Sequence, residues 1–160
     1  MLESLLLSSV LFTAQSTNYD SDFIQLKNKL EDSNFQVNIT VPPDFQLPKQ
    51  QPDFQRRRVR KPYGLLNSAS KTIWVHPIVF DLGIANSVLV HEAVHAAQLC
   101  KGNSNLQTLE LDLKPIKQAR PFFKRYVDVH SQAIEKEAYT VQTQANSYEL
   151  AMSLLDRYCG

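Results

Sequence analysis

The stretch that most restricts the fold is Val88-Leu89-Val90-His91-Glu92-Ala93-Val94-His95-Ala96-Ala97. It holds no Gly or Pro and is rich in helix formers, so it reads as the body of a helix over 85–100, stopped by Gly102. Val88, Leu89, Val90, Ala93, Val94, Ala96, Ala97 and Leu99 leave it almost no polar face. A helix that is apolar nearly all round should be buried. Two histidines and a glutamate inside such a helix are costly unless they are paired or bound to a metal.

The spacing gives those three residues a shared purpose. His91 and His95 lie four apart, so on a helix one stands above the other and both imidazoles can reach one metal ion. Glu92 sits about 100° round from His91, placed to reach a metal-bound water without being a ligand. A chain of this composition would show the pattern His-Glu-x-x-His about 0.004 times by chance. A buried, hydrogen-bonded histidine pair is the simpler alternative, but it explains neither Glu92 nor the spacing.

A hydrolytic zinc site needs a third protein ligand and an open fourth position. Gln98 and Lys101 stand where an extended His-Glu-x-x-His-x-x-Gly-x-x-His motif would place Gly and His, so the third ligand comes from elsewhere. The remaining histidines are His76 and His130. The downstream carboxylates are Glu110, Asp112, Asp128, Glu135, Glu137, Glu149 and Asp156. On a helix through Ile134, Ala138, Val141 and Ala145, Glu137 falls about 70° from the apolar centre and Glu135 about 90°. That margin favours Glu137 as the inward carboxylate, with Glu135 and His130 as the alternatives.

The rest of the chain reads as an α+β domain, strands first and helices after. Helices are expected over 2–14 and 20–30, the second capped by Asp20 or Ser21 with Phe23, Leu26 and Leu30 at helical spacing. Residues 35–41 alternate as a strand, and 63–66 and 71–75 read as strand, turn, strand around Asn67-Ser68-Ala69-Ser70. Residues 78–82 form an apolar link, 113–129 a helix interrupted near Pro115 and Pro121, and 131–158 a long helix broken near Asn146-Ser147. A single domain over 1–160 is expected: N-terminal helices over 1–34, strands and a Pro-rich loop over 35–82, the motif helix over 83–102, and C-terminal helices over 113–160. Tyr63 and Trp74 are expected in the core.

Composition excludes several classes. With 43% hydrophobic and 21% charged residues the chain is neither a disordered tail, a collagen nor a polytopic membrane protein. The apolar run over 5–14 is too short to span a bilayer. It reads as an amphipathic first helix ahead of a signal peptide, because no Lys or Arg precedes it. The net charge of +1 argues neither for a nucleic-acid partner nor for a strongly acidic one; no nucleic acid is expected, and the basic run Arg56-Arg57-Arg58-Val59-Arg60-Lys61 reads as a solvated loop or charge-protected edge. Four glycines leave little room for a phosphate loop. Cys100 and Cys159 are too few for a disulfide framework; one bridge between them is possible, and free thiols are expected. The weakness of the N-terminal apolar run favours a cytoplasmic over a secreted location.

Over residues 63–145 the sequence resembles the zincin metallopeptidases, in particular the gluzincin-like branch. There the two motif histidines and a glutamate from a later helix bind zinc. Glu135-Lys136-Glu137-Ala138 is similar to the E-x-E-A signature of minimal zincins, whose second glutamate is the ligand. The chain departs from larger gluzincins at Val141, where they carry an acidic residue, so the usual carboxylate partner of a zinc histidine is unplaced; Asp128, Glu135 or a backbone carbonyl are candidates. The resemblance implies a zincin-like fold and one Zn2+ per chain on His91, His95 and Glu137. It implies a protein or peptide substrate, with Glu92 as the general base that passes its proton to the leaving amine. It also implies that Tyr139, His130 or Tyr126 stabilises the oxyanion, and that the strand at 71–75 is an edge that pairs with extended substrate. The alternative is a zincin-fold binding or scaffold protein with structural zinc or lost catalysis.

Overall fold

The computed structural model describes residues 19–43, 62–124 and 128–160. The expected first helix at 2–14, the basic run at 56–61 and Tyr126 lie outside the described residues.

Helix α1 is Ser21–Asp32, and Asp20 caps it by accepting a hydrogen bond from the Asp22 amide. Its buried Phe23, Leu26 and Leu30 form one stripe, as their spacing demands. Strand β1, Gln36–Ile39, follows a turn in which Asn34 takes φ of 64°, a conformation Asn tolerates better than most residues. Strands β2, Gly64–Asn67, and β3, Thr72–Val75, form a hairpin. The Asn67 side chain closes its turn by accepting from the Ala69 and Ser70 amides.

Among the described residues the sheet has three strands in the order β1-β3-β2, with β1 parallel and β2 antiparallel to β3. The strand at 71–75, expected at an edge, is therefore central. Ile73 and Val75 are fully buried, and β3 has a hydrogen-bonded neighbour on each side. That leaves β2 as a terminal strand among the described residues. Tyr63, expected in the core, is 49% exposed, and Trp74 is half-buried.

The link expected at 78–82 contains a short helix, α2, Ile78–Asp81. Helix α3, Ala85–Lys101, runs through the middle of the molecule and ends at Gly102. It packs against α1, α5, α6 and both β2 and β3. Leu89, Val90, Ala93, Val94, Ala96, Ala97 and Leu99 are all buried, each larger one contributing about 1.5–3 kcal/mol. Of the helix expected over 113–129, the described residues up to 124 hold a 3-10 turn, Lys117–Ala119, and helix α4, Arg120–Phe123. Pro115 keeps the residue before it out of helical geometry, whereas Pro121 sits in the first turn of α4, where proline is tolerated. The long C-terminal helix is two helices, α5, Val129–Gln142, and α6, Ser147–Cys159, divided just before Asn146-Ser147. Asp128 caps α5 by accepting from the Ser131 amide.

Cys100 and Cys159 are paired in a disulfide, not free as expected. The bond joins the C-terminal ends of α3 and α6. Among the described residues no helix is long and apolar enough to cross a membrane.

Candidate metal centre

Two helices and one strand build the site. From α3 come His91, Glu92 and His95; from α5 come Glu135, Tyr139 and Gln142; from β2 comes the backbone at Gly64. The His91 and His95 Nε2 atoms are 3.1 Å apart. The Glu135 carboxylate spans them, with Oε2 3.3 Å from His91 Nε2 and Oε1 3.6 Å from His95 Nε2. One ligand atom from each residue falls within 4.8 Å of the others, close enough that the three could hold one metal ion.

The structure does not bring Glu137 to this cluster. Its carboxylate accepts hydrogen bonds from the Leu109, Glu110 and Leu111 amides and from Gln98 Nε2. His130, the other alternative, contacts the Leu106 carbonyl through Nε2 at 3.0 Å. His76 accepts from the Ile78 amide through Nδ1. Asp128 serves as a helix cap.

The far nitrogen of each motif histidine meets an amide oxygen. His95 Nδ1 is 2.8 Å from Gln98 Oε1, and His91 Nδ1 is 3.0 Å from Gln142 Oε1. An amide oxygen only accepts, so each Nδ1 carries the hydrogen and each neutral ring turns an Nε2 lone pair to the other. Two lone pairs 3.1 Å apart beside a carboxylate repel unless a cation lies among them. A proton or a metal ion meets that need, and two imidazoles with one carboxylate suit zinc.

The proton affinities carry the same message. Burial works against a charge on His95, but its hydrogen bond to Glu135 and the charges of Glu135 and Glu92 push it up to about 9. Burial would raise Glu135, yet the hydrogen bonds from His91 and His95 hold its carboxyl well below the usual range. Glu92, only 5% exposed, is pushed up by burial, against the opposing pull of His91 and His95.

Glu92 lies under β2. A Cβ on Gly64 would stand 2.5 Å from Glu92 Oε1 and 2.8 Å from Val88 Cγ1, so any larger residue here would force the Glu92 and Val88 side chains to shift. Tyr139 packs edge-on against His91 with centroids 4.5 Å apart, and Phe122 stacks on Tyr139. Of the residues considered as oxyanion stabilisers, Tyr139 is thus beside a histidine of the cluster.

Sequence reasoning missed Gln98, Gln142 and Gly64. Gln98 was legible as the single polar residue between His95 and Leu99 on an otherwise apolar helix. Gln142 was legible by spacing, since Glu135, Tyr139 and Gln142 fall at i, i+4 and i+7 and share one flank of α5. Comparison with protein-family models, with curated proteins and with solved structures gives no match.

Proposed function

We propose that the chain is a zinc-dependent metallopeptidase in which His91, His95 and Glu135 hold one zinc ion and Glu92 is the general base. The observation that carries this reading is the pair of facing Nε2 atoms closed by the Glu135 carboxylate. Zinc bound there supplies a Lewis acid and lowers the pKa of a coordinated water.

The chain's own residues do the rest. Gln142 and Gln98 hold the two rings so that Nε2 faces inward. Glu135 would contribute one negative charge, and its two oxygens face the two histidine Nε2 atoms. Glu92 is outside the three-ligand group, and burial raises its proton affinity toward the range useful for proton transfer. It takes a proton from the attacking water and gives it to the leaving amine. β2, a terminal strand against Glu92, offers an edge along which an extended peptide can add as a further strand, in place of the strand at 71–75. A scaffold protein with a structural zinc would have a closed, four-ligand site and no use for Glu92.

The test is the metal content of wild type, Glu135→Ala and Glu137→Ala at saturating zinc, followed by a peptide-library cleavage assay with a Glu92→Gln control. About one zinc per chain is expected in wild type and in Glu137→Ala, and none in Glu135→Ala. Cleavage should disappear in Glu92→Gln. A wild type that takes up no zinc after reconstitution would sink the peptidase reading. Stoichiometric zinc without cleavage of any peptide would favour the scaffold.

A further inference from the structure

Glu137 is half-buried and spends its whole carboxylate on N–H groups. Oε2 accepts from the Leu109 amide at 2.7 Å and from Gln98 Nε2 at 2.9 Å. Oε1 accepts from the Glu110 amide at 2.7 Å and, more loosely, the Leu111 amide at 3.4 Å. Glu110 takes φ of 61°, and the three successive amides form a concave nest that fits an anion. The anion here is a side chain of the protein itself, and it is also fastened to α3 through Gln98.

Gln98 is fully buried, and every polar hydrogen of its side chain is assigned. Nε2 donates to the Ile134 carbonyl at 3.1 Å and to Glu137 Oε2. Both acceptors lack a hydrogen to give, so the amide cannot be turned over without placing oxygen against oxygen. Oε1 is therefore the atom that faces His95 Nδ1. That in turn keeps the hydrogen on Nδ1 and leaves Nε2 able to ligate.

We infer that Glu137 is a positioning residue: through Gln98 it fixes the orientation and tautomer of His95 at the metal centre. This rests on the zinc reading of His91, His95 and Glu135, but concerns a different residue. The carboxylate that ordinarily bonds a zinc histidine directly is here one residue removed, with a buried amide between. Replacing Glu137 with Gln puts an NH2 group among the nest's own N–H donors, so Gln98 loses the charged one of its two acceptors and is held by the Ile134 carbonyl alone. With one acceptor in place of two, turning the amide costs less, and an Nε2 that faces His95 favours the Nε2–H ring that cannot ligate.

The experiment compares wild type, Glu137→Gln, Gln98→Met and the double variant. Zinc affinity is read by competition with a chromophoric chelator. The ring 15N shifts of His95 are read in zinc-free protein at pH 10, where the ring is neutral. Each single variant should weaken zinc binding about 10–100-fold. The double variant should be no weaker than the weaker single one, because both act through one contact. His95 should be an Nδ1–H ring in wild type and shift toward Nε2–H in Glu137→Gln. Unchanged affinity, or losses that multiply in the double variant, would overturn the inference. If wild type binds no zinc, the peptidase reading fails, and the His95 tautomer decides this one: the same ring form in wild type and Glu137→Gln overturns it. If Gln98→Met does not fold, the ring form in Glu137→Gln decides alone.

Discussion

In the zinc-free protein, a proton must do what the metal would do, and Glu135→Gln tests whether it does. Glu135 Oε1 lies 3.6 Å from His95 Nε2. At an effective dielectric of about 20, two unit charges at that distance attract by about 5 kcal/mol. Desolvation of the buried His95 ring opposes this, and the net effect carries His95 from 6.5 to about 9. A rise of that size corresponds to about 3 kcal/mol of folding stability. The raised value fixes the sign. The stabilisation is fully present below pH 6.5 and is lost as pH rises through about 9. In Glu135→Gln the attraction is gone and burial keeps His95 neutral. The gap in unfolding free energy between wild type and variant should therefore shrink by about 3 kcal/mol between pH 6 and pH 10. Urea unfolding in the presence of a chelator, read at several pH values, measures it. A gap that stays constant across that range, or one that Glu137→Gln reproduces in full, would refute the pairing of His95 with Glu135.

Three further outcomes follow from the same geometry. Gly64→Ala forces a Cβ against Glu92 Oε1 and Val88 Cγ1; it should cost about 1–3 kcal/mol in thermal unfolding and remove peptide cleavage, because Glu92 has to move. Glu92→Gln should raise the melting temperature of zinc-free protein at neutral pH, since burial penalises the Glu92 charge and this cost is absent below pH 4.5 and grows as pH rises; an unchanged or lower melting temperature would contradict it. Cys159→Ser opens a loop whose ends are 59 residues apart, which should cost about 4 kcal/mol by loop-closure entropy. Wild type in reductant should lose the same amount, and insensitivity to reductant would show that the two thiols are not bonded.

Much of the fold was legible because it is written in short-range pattern. Asp20 caps α1 where expected, and Phe23, Leu26 and Leu30 all face the core. Alternation located β1 and the β2–β3 hairpin to within two residues at either end. The break in the C-terminal helical stretch fell close to Asn146-Ser147. Central burial of α3 was forced by its lack of a polar face. Apolar content misled over 113–124, where the described residues hold less helix than it suggested.

The site shows where short-range pattern stops. His91, Glu92 and His95 are one helical turn of sequence, and their grouping needed nothing beyond helix geometry. The third member of the cluster did not follow. Ile134, Ala138 and Val141 turn one stripe of α5 to the core, and Glu135 and Glu137 flank that stripe on opposite sides. A helical wheel says how far each lies from the stripe, but not which flank meets α3 and which meets the 109–111 backbone. That choice depends on how α5 docks, and so do the Gln98 and Gln142 contacts, the disulfide between positions 59 apart, and the central place of β3. Periodicity and capping act over a turn or two of chain, so sequence alone determines them. Which flanks, edges and thiols meet is decided by packing between elements far apart in the chain, and only the tertiary structure contains it.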